Sequence, residues 1–269
     1  MKQRIDANSR KVAFLTDSLN QGDIPLLLLH GFCEDSGIWT PLLPYLEGLP
    51  LLRIDLPGFG DSDLPPSAGM SAYADAVHCV LDALHIDRAV LVGHSMGGYA
   101  ALAFAEAYPE RLSGFGLFHS HPYADTPERK EGRQRGMALV EEGRRDAYVA
   151  QLFPGLFAPD FAAAHPEVVL HLVETQGRRQ SPEAIITALK AMMNRPDHTE
   201  TLRRFARPVL WLLGEKDALV PVVPTLEAAA LCPLGVVHLM TDAGHMGMYE
   251  SPEACAEMLR AFYILCTRP

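Results

Sequence analysis

Residues 88–107 admit few folds. RAVLV at 88–92 is an apolar run of strand length, and GYAALAFAEA at 98–107 is alanine-rich and of helix length. Between them lies Gly93-His94-Ser95-Met96-Gly97, a G-x-S-x-G pentapeptide. A strand, a very tight turn and a helix in succession are the setting of a nucleophile elbow. The two glycines leave room for a strained turn that lifts the apex side chain, Ser95, clear of the backbone. The pentapeptide also occurs in ordinary glycine-rich turns. Its meaning depends on whether the rest of the chain supplies a base, an acid and a second oxyanion donor.

Strand and helix patterns alternate around this segment. Strand-like runs stand at 11–15, 25–29, 50–54, 88–92 and 113–118, and return at 208–213 and 236–240. Helical patterns fall at 36–46, at 71–85 with Ser71 as N-cap, at 96–107 and at 252–266. The alternation stops from 121 to 205, where the pattern is helical and more charged. The expectation is an α/β fold with a doubly wound, mostly parallel sheet and a helical cap inserted after the sixth core strand. Residues 1–120 and 206–269 would form the core, and 121–205 the cap. Strand ends carry the unusual residues, and open parallel sheets bind ligands at their carboxyl ends.

Two strand ends complete a constellation with Ser95. Gly214-Glu215-Lys216-Asp217 follows the run at 208–213, and Ala243-Gly244-His245 follows 236–240. A serine hydroxyl is a poor nucleophile, so His245 must take its proton. A buried carboxylate must orient the resulting imidazolium, and the Gly-x-x-Asp turn favours Asp217 over Glu215 and Asp242. The N–H of Met96 and the N–H of Phe32, in the loop after 25–29, are the expected oxyanion donors. His30 is expected to brace that loop.

With these residues in place, the chain resembles the α/β-hydrolase fold proteins that carry a cap, such as small bacterial carboxylesterases and enol-lactonases. The likeness rests on His30-Gly31-Phe32, Asp55-Leu56-Pro57-Gly58-Phe59-Gly60-Asp61-Ser62, Gly93 to Gly98, Gly214 to Asp217, and Gly244-His245. It spans nearly the whole chain and implies a Ser95–His245–Asp217 triad and no cofactor. Serine at 95 separates the chain from epoxide hydrolases and haloalkane dehalogenases of this fold, whose nucleophile is aspartate. Cys33, beside the oxyanion donor, departs from the pattern and reads as a small packing residue.

The remaining signals are weaker. A net charge of −10 repels phosphate backbones and argues against a nucleic-acid partner. No apolar run reaches the roughly 20 residues a membrane span needs. The five cysteines are odd in number and form no C-x-x-C, which suits a reduced, cytoplasmic setting. No H-E-x-x-H or Cys/His cluster suggests a metal. The pairs Arg144-Arg145, Arg178-Arg179 and Arg203-Arg204 read as solvated helix faces rather than an anion site. Trp39, Tyr123, Phe153, Phe157, Met192, Met193 and Met246 are candidates for an apolar acyl pocket. The function expected is cleavage of a small carboxylic ester or lactone. The same triad also serves carbon–carbon bond hydrolases, lyases and acyltransferases or perhydrolases. A non-catalytic ligand receptor on this fold is a third reading, and an intact triad disfavours it.

Overall fold

The computed structural model describes residues 2–7 and 9–268. Its centre is a sheet of β1 (Gln3–Ala7), β2 (Arg10–Asp17), β3 (Leu26–Leu29), β4 (Leu51–Ile54), β5 (Ala89–His94), β6 (Leu112–Phe118), β7 (Val209–Gly214) and β8 (Gly235–Met240). The spatial order is β1-β2-β4-β3-β5-β6-β7-β8. β2 runs antiparallel to both β1 and β4, and every other pairing is parallel. The four leucines of β3 are fully buried, as a central strand covered on both faces requires. Each contributes roughly 1.5–3 kcal/mol of burial free energy.

β1 is absent from the sequence reading. Its residues, QRIDA, are mostly exposed on both faces, so no apolar period marks it. With β1 counted, the helical insertion follows the sixth strand. α1 (Met70–Ala83) packs against α2 (Met96–Ala107). Ser71 does not cap α1: the N-cap position is Gly69, and no side chain caps the first turn. The segment expected to be a helix at 36–46 is a 3-10 helix, Ser36–Tyr45, interrupted by Pro41 and Pro44, which have no N–H to donate.

Between β6 and β7 run α3 (Pro127–Glu141), α4 (Arg145–Leu152), α5 (Pro159–Ala164), α6 (Pro166–Thr175), α7 (Pro182–Met193) and α8 (Thr199–Arg204), with no strand among the described residues. Thr-Pro-Glu opens α3 and Ser-Pro-Glu opens α7. In each, the hydroxyl accepts from a backbone N–H of the first turn, and proline stands where its missing N–H costs nothing. After β7 come α9 (Val222–Ala229), the short α10 (Gly247–Glu250) and α11 (Pro252–Thr267), which packs on the 3-10 helix. Among the described residues, no helix is long and apolar enough to cross a membrane.

Candidate active site

The carboxyl ends of β3, β5, β6, β7 and β8 open on one edge of the sheet, and each delivers a polar residue there. At the end of β5 the backbone of Ser95 takes φ 50° and ψ −113°. That is a costly conformation for a residue with a Cβ. Two hydrogen bonds hold it: Ser95 N–H donates to Phe118 O at 3.0 Å, and Ser120 Oγ donates to Ser95 O at 2.8 Å. The turn closes only because its flanks are glycines. A Cβ on Gly93 would lie 2.2 Å from Gly97 O, and one on Gly97 would lie 2.6 Å from His30 O.

Beyond β7, Asp217 turns back over the sheet edge. Its Oδ1 accepts from the N–H groups of Leu219 and Val220, and its Oδ2 accepts from His245 Nδ1 at 2.7 Å. Burial alone would raise this carboxyl, but the electrostatic interaction and hydrogen bond with His245, with His119 close by, bring it down to about 2. The rival acids stand elsewhere. Glu215 is exposed, and Asp242 faces solvent beside Lys216 at 3.6 Å. His245 Nε2 is buried and has no hydrogen-bond partner among the described residues. It lines a cavity of about 350 Å³ together with Ser95 and Phe32. Neither the Phe32 N–H nor the Met96 N–H is engaged by an acceptor among the described residues. Such amides are fixed donors ready for a developing oxyanion.

His30 is fully buried and braces the Phe32 loop: Nδ1–H donates to Gly31 O, and Nε2 accepts from Leu56 N–H, each at 2.8 Å. Cys33 is fully buried outside the cavity lining, and burial pushes its thiol well up, away from reactivity.

Several functional neighbours have no counterpart in the sequence reading. His94 Nε2–H donates to the backbone O of His245 at 2.9 Å, and His94 Nδ1 lies 3.1 Å from Glu34 Oε2. A carbonyl only accepts, so Nε2 carries a proton, and the pair at Nδ1 is an imidazolium with a carboxylate. Burial opposes both charges, yet each partner sustains the other: His94 is raised and Glu34 lowered. His119 Nδ1 lies 3.7 Å from Asp217 Oδ2, and burial keeps this imidazole neutral. Glu250 joins three backbone donors: Oε1 accepts from Ala158 N–H at 2.7 Å, and Oε2 from Gly244 and Met246 N–H at 2.9 and 3.0 Å.

The apolar pocket needs correction. Met192 lines the cavity; Trp39, Tyr123, Phe153, Phe157, Met193 and Met246 do not. Trp39 is fully buried edge-on to Phe118 at 5.4 Å. The Tyr123 hydroxyl donates to Pro224 O, Phe153 sits beneath Gly177, Phe157 stacks on Phe161, and Met246 is buried in the His245 loop. Apolar walls come instead from Leu152, Leu156, Leu189, Leu219 and Val220, with Tyr148 set edge-on to Phe32. Arg129 and Arg133 of α3 also face this cavity. The three arginine pairs singled out in the sequence do not line it; Arg144, Arg145, Arg178, Arg203 and Arg204 meet neighbouring acids instead. No group of three or more His, Cys, Asp or Glu among the described residues is placed to hold a metal ion.

A family model described as the alpha/beta hydrolase fold matches residues 24–252. The chain belongs to the α/β-hydrolase fold family. Among curated relatives it is 29% identical over 257 residues to a 2-hydroxy-6-oxononadienedioate/2-hydroxy-6-oxononatrienedioate hydrolase of Burkholderia vietnamiensis, covering 90% of this chain and 87% of the relative. It is 29% identical over 237 residues to a 2-succinyl-6-hydroxy-2,4-cyclohexadiene-1-carboxylate synthase of Salmonella heidelberg, covering 87% and 91%. Among solved structures, a malate-bound thermophilic esterase from Thermogutta terrifontis superposes with a TM-score of 0.91 at 30% identity, over the full length of both chains. An enol-lactonase from Burkholderia xenovorans shares the fold at TM-score 0.87 and 21% identity, covering 97% and 99%. The chain is thus a hydrolase-fold protein similar to small bacterial esterases.

Proposed function

We propose that this protein is a serine hydrolase that cleaves a small carboxylic ester or lactone through an acyl-enzyme on Ser95. One observation carries the reading: His245 is tied through Nδ1 to a buried carboxylate, while its Nε2, without a partner, shares a cavity with Ser95. In the proposed cycle Ser95 Oγ attacks the carbonyl carbon as its proton passes to His245 Nε2. The oxyanion takes hydrogen bonds from the Phe32 and Met96 amides. Collapse expels the alkoxide, which recovers the proton from His245. Water then attacks the acyl carbonyl, giving its proton to His245, and the acid leaves as Oγ regains that proton.

The cavity, at about 350 Å³, lies at the small end of ligand sites and suits a small substrate. Residues 121–205 would act as the cap that closes its upper wall. A second reading has support in the names of the two curated relatives, a dioate hydrolase and a carboxylate synthase. It uses the same Ser95 and His245 to break a carbon–carbon bond.

A fluorophosphonate probe and p-nitrophenyl butyrate test the first reading. The probe should label Ser95, and Ser95→Ala should lower ester turnover by at least about a thousand-fold while leaving the circular dichroism spectrum unchanged. Retained turnover, or an adduct on Cys33, would overturn it. Turnover of a 2-hydroxy-6-oxodienedioate with no ester hydrolysis would favour the second.

A further inference from the structure

The cavity is apolar along most of its wall, yet α3 turns two arginines, Arg129 and Arg133, into it. Long cationic side chains normally extend their charge to water, so two guanidiniums on an apolar cavity wall require a reason. Arg133 is paired: Nε and Nη2 both donate to Asp125. Among the described residues its Nη1 meets only Met192 Sδ, a weak acceptor, at 3.3 Å. Arg129 donates through Nη2 to the carbonyl O of Leu219, itself a cavity residue, and forms no ion pair among the described residues. Behind them Arg195, with a fully buried side chain, donates to the same Asp125 at 2.6 Å and lies over the Tyr99 ring at 3.8 Å.

Three guanidiniums therefore stand against one carboxylate. The Glu34 carboxylate across the cavity is already neutralised by His94. The excess of positive charge registers on a bystander: burial first, then Arg195 and Arg129, push His121 down to about 3. Arg129 and Arg133, each with donors unmatched among the described residues, line the same cavity as Ser95. A planar anion satisfies such donors best, and a carboxylate matches the guanidinium fork.

We infer that Arg129 and Arg133 form a subsite for a carboxylate on the substrate, so that the preferred ester or lactone is an anion. This rests on the serine-hydrolase reading and names the substrate class of that same site. The carboxylate can belong to the acyl part or to the alcohol part; the subsite chemistry is the same.

Two measurements test it separately from hydrolysis itself. First, kcat/KM is compared for monoethyl adipate against ethyl hexanoate, and for butyryl glycolate against isobutyl butyrate. The first pair carries the carboxylate on the acyl side, the second on the alcohol side. The anionic member of one pair should be favoured, and Arg129→Gln should lower that anionic-to-neutral ratio about ten-fold or more, chiefly through KM. Arg129→Lys should restore part of the preference, and Arg133→Gln should act in the same direction. Arg129 is the decisive position, because no internal ion pair is lost with it. A ratio within about two-fold of wild type in Arg129→Gln would overturn the subsite. Second, adipate binding is measured by calorimetry on Ser95→Ala with and without Arg129→Gln. Affinity should fall about ten-fold or more with the second substitution; equal affinity, or no binding in either, counts against the subsite. Adipate binding that depends on Arg129, in a wild-type protein that cleaves no ester, would overturn the hydrolase reading and leave the subsite standing.

Discussion

The first unnamed position of the G-x-S-x-G pentapeptide, His94, holds the site together as much as its glycines do. It reaches 60 residues back to Glu34 and 151 residues forward to the carbonyl of His245. The neighbour of Ser95 thereby fixes the backbone of His245. The ion pair gives the contact a pH signature. A raised histidine contributes stability that is complete below its unfolded value of 6.5 and is lost as pH rises through the folded value. A lowered glutamate contributes stability present above 4.5 and lost as pH falls through its folded value. The urea midpoint of wild type should therefore exceed that of His94→Gln most between about pH 4.5 and 6.5, and the gap should narrow above. A gap that widens from pH 7 to 9 would show that the pair is not ionised. Ser95, Asp217 and His245 were legible in the sequence because each stands in a turn that directly follows an apolar run. His94, Glu34, Arg129 and Arg133 were not, because their partners are distant in sequence and only the folded chain brings them together.

At the scale of elements, α10 and the end of the 3-10 helix at Phe153–Leu156 position His245. His245 N–H donates to Leu156 O at 2.8 Å, and Glu250 gathers amides from both sides of that junction. Burial holds the Glu250 carboxyl above its ordinary range despite three amide donors. Glu250→Gln replaces an acceptor oxygen with an NH₂ that confronts at least one donor. The expected cost is about 2 kcal/mol in urea unfolding, with a lower kcat from a misplaced His245. A variant with unchanged kcat would reduce Glu250 to a fold-stabilising role. The elements themselves were legible unevenly. β3 and β5 announced themselves as unbroken apolar runs. β1 did not, because an exposed edge strand has no face to bury. The pocket aromatics misled for a related reason: apolar character marks what leaves water, and it does not separate a cavity wall from a packed core. Trp39 and Phe153 went to the core.

Across the whole molecule, the helical insertion is fastened to three of the loops around the candidate site. It meets the His245 loop through Leu156 and Ala158, and the segment after Asp217 through Arg129. It meets the Phe32 loop through two buried glutamines. Gln176 Oε1 accepts from Asp35 N–H at 2.7 Å, and Gln180 Nε2 donates to Glu34 O at 3.4 Å. An insertion that only shaped the pocket would need none of these bonds. One that also holds the Phe32 loop in place makes the proposed turnover depend on it, even for a substrate too small to touch the pocket wall. The double variant Gln176→Ala/Gln180→Ala should therefore lower kcat for p-nitrophenyl acetate about ten-fold or more, with KM little changed and a stability loss of about 1–3 kcal/mol. Leu170→Ser, at a residue of α6 that is 61% exposed, is the comparator for a change in the insertion remote from the loop. Acetate turnover that stays at the Leu170→Ser level in the double variant would mean that the Phe32 loop holds its geometry from the sheet side alone, through His30 and through Asp55, whose Oδ1 accepts from Ser36 N–H at 2.9 Å, and that the insertion acts only as a wall.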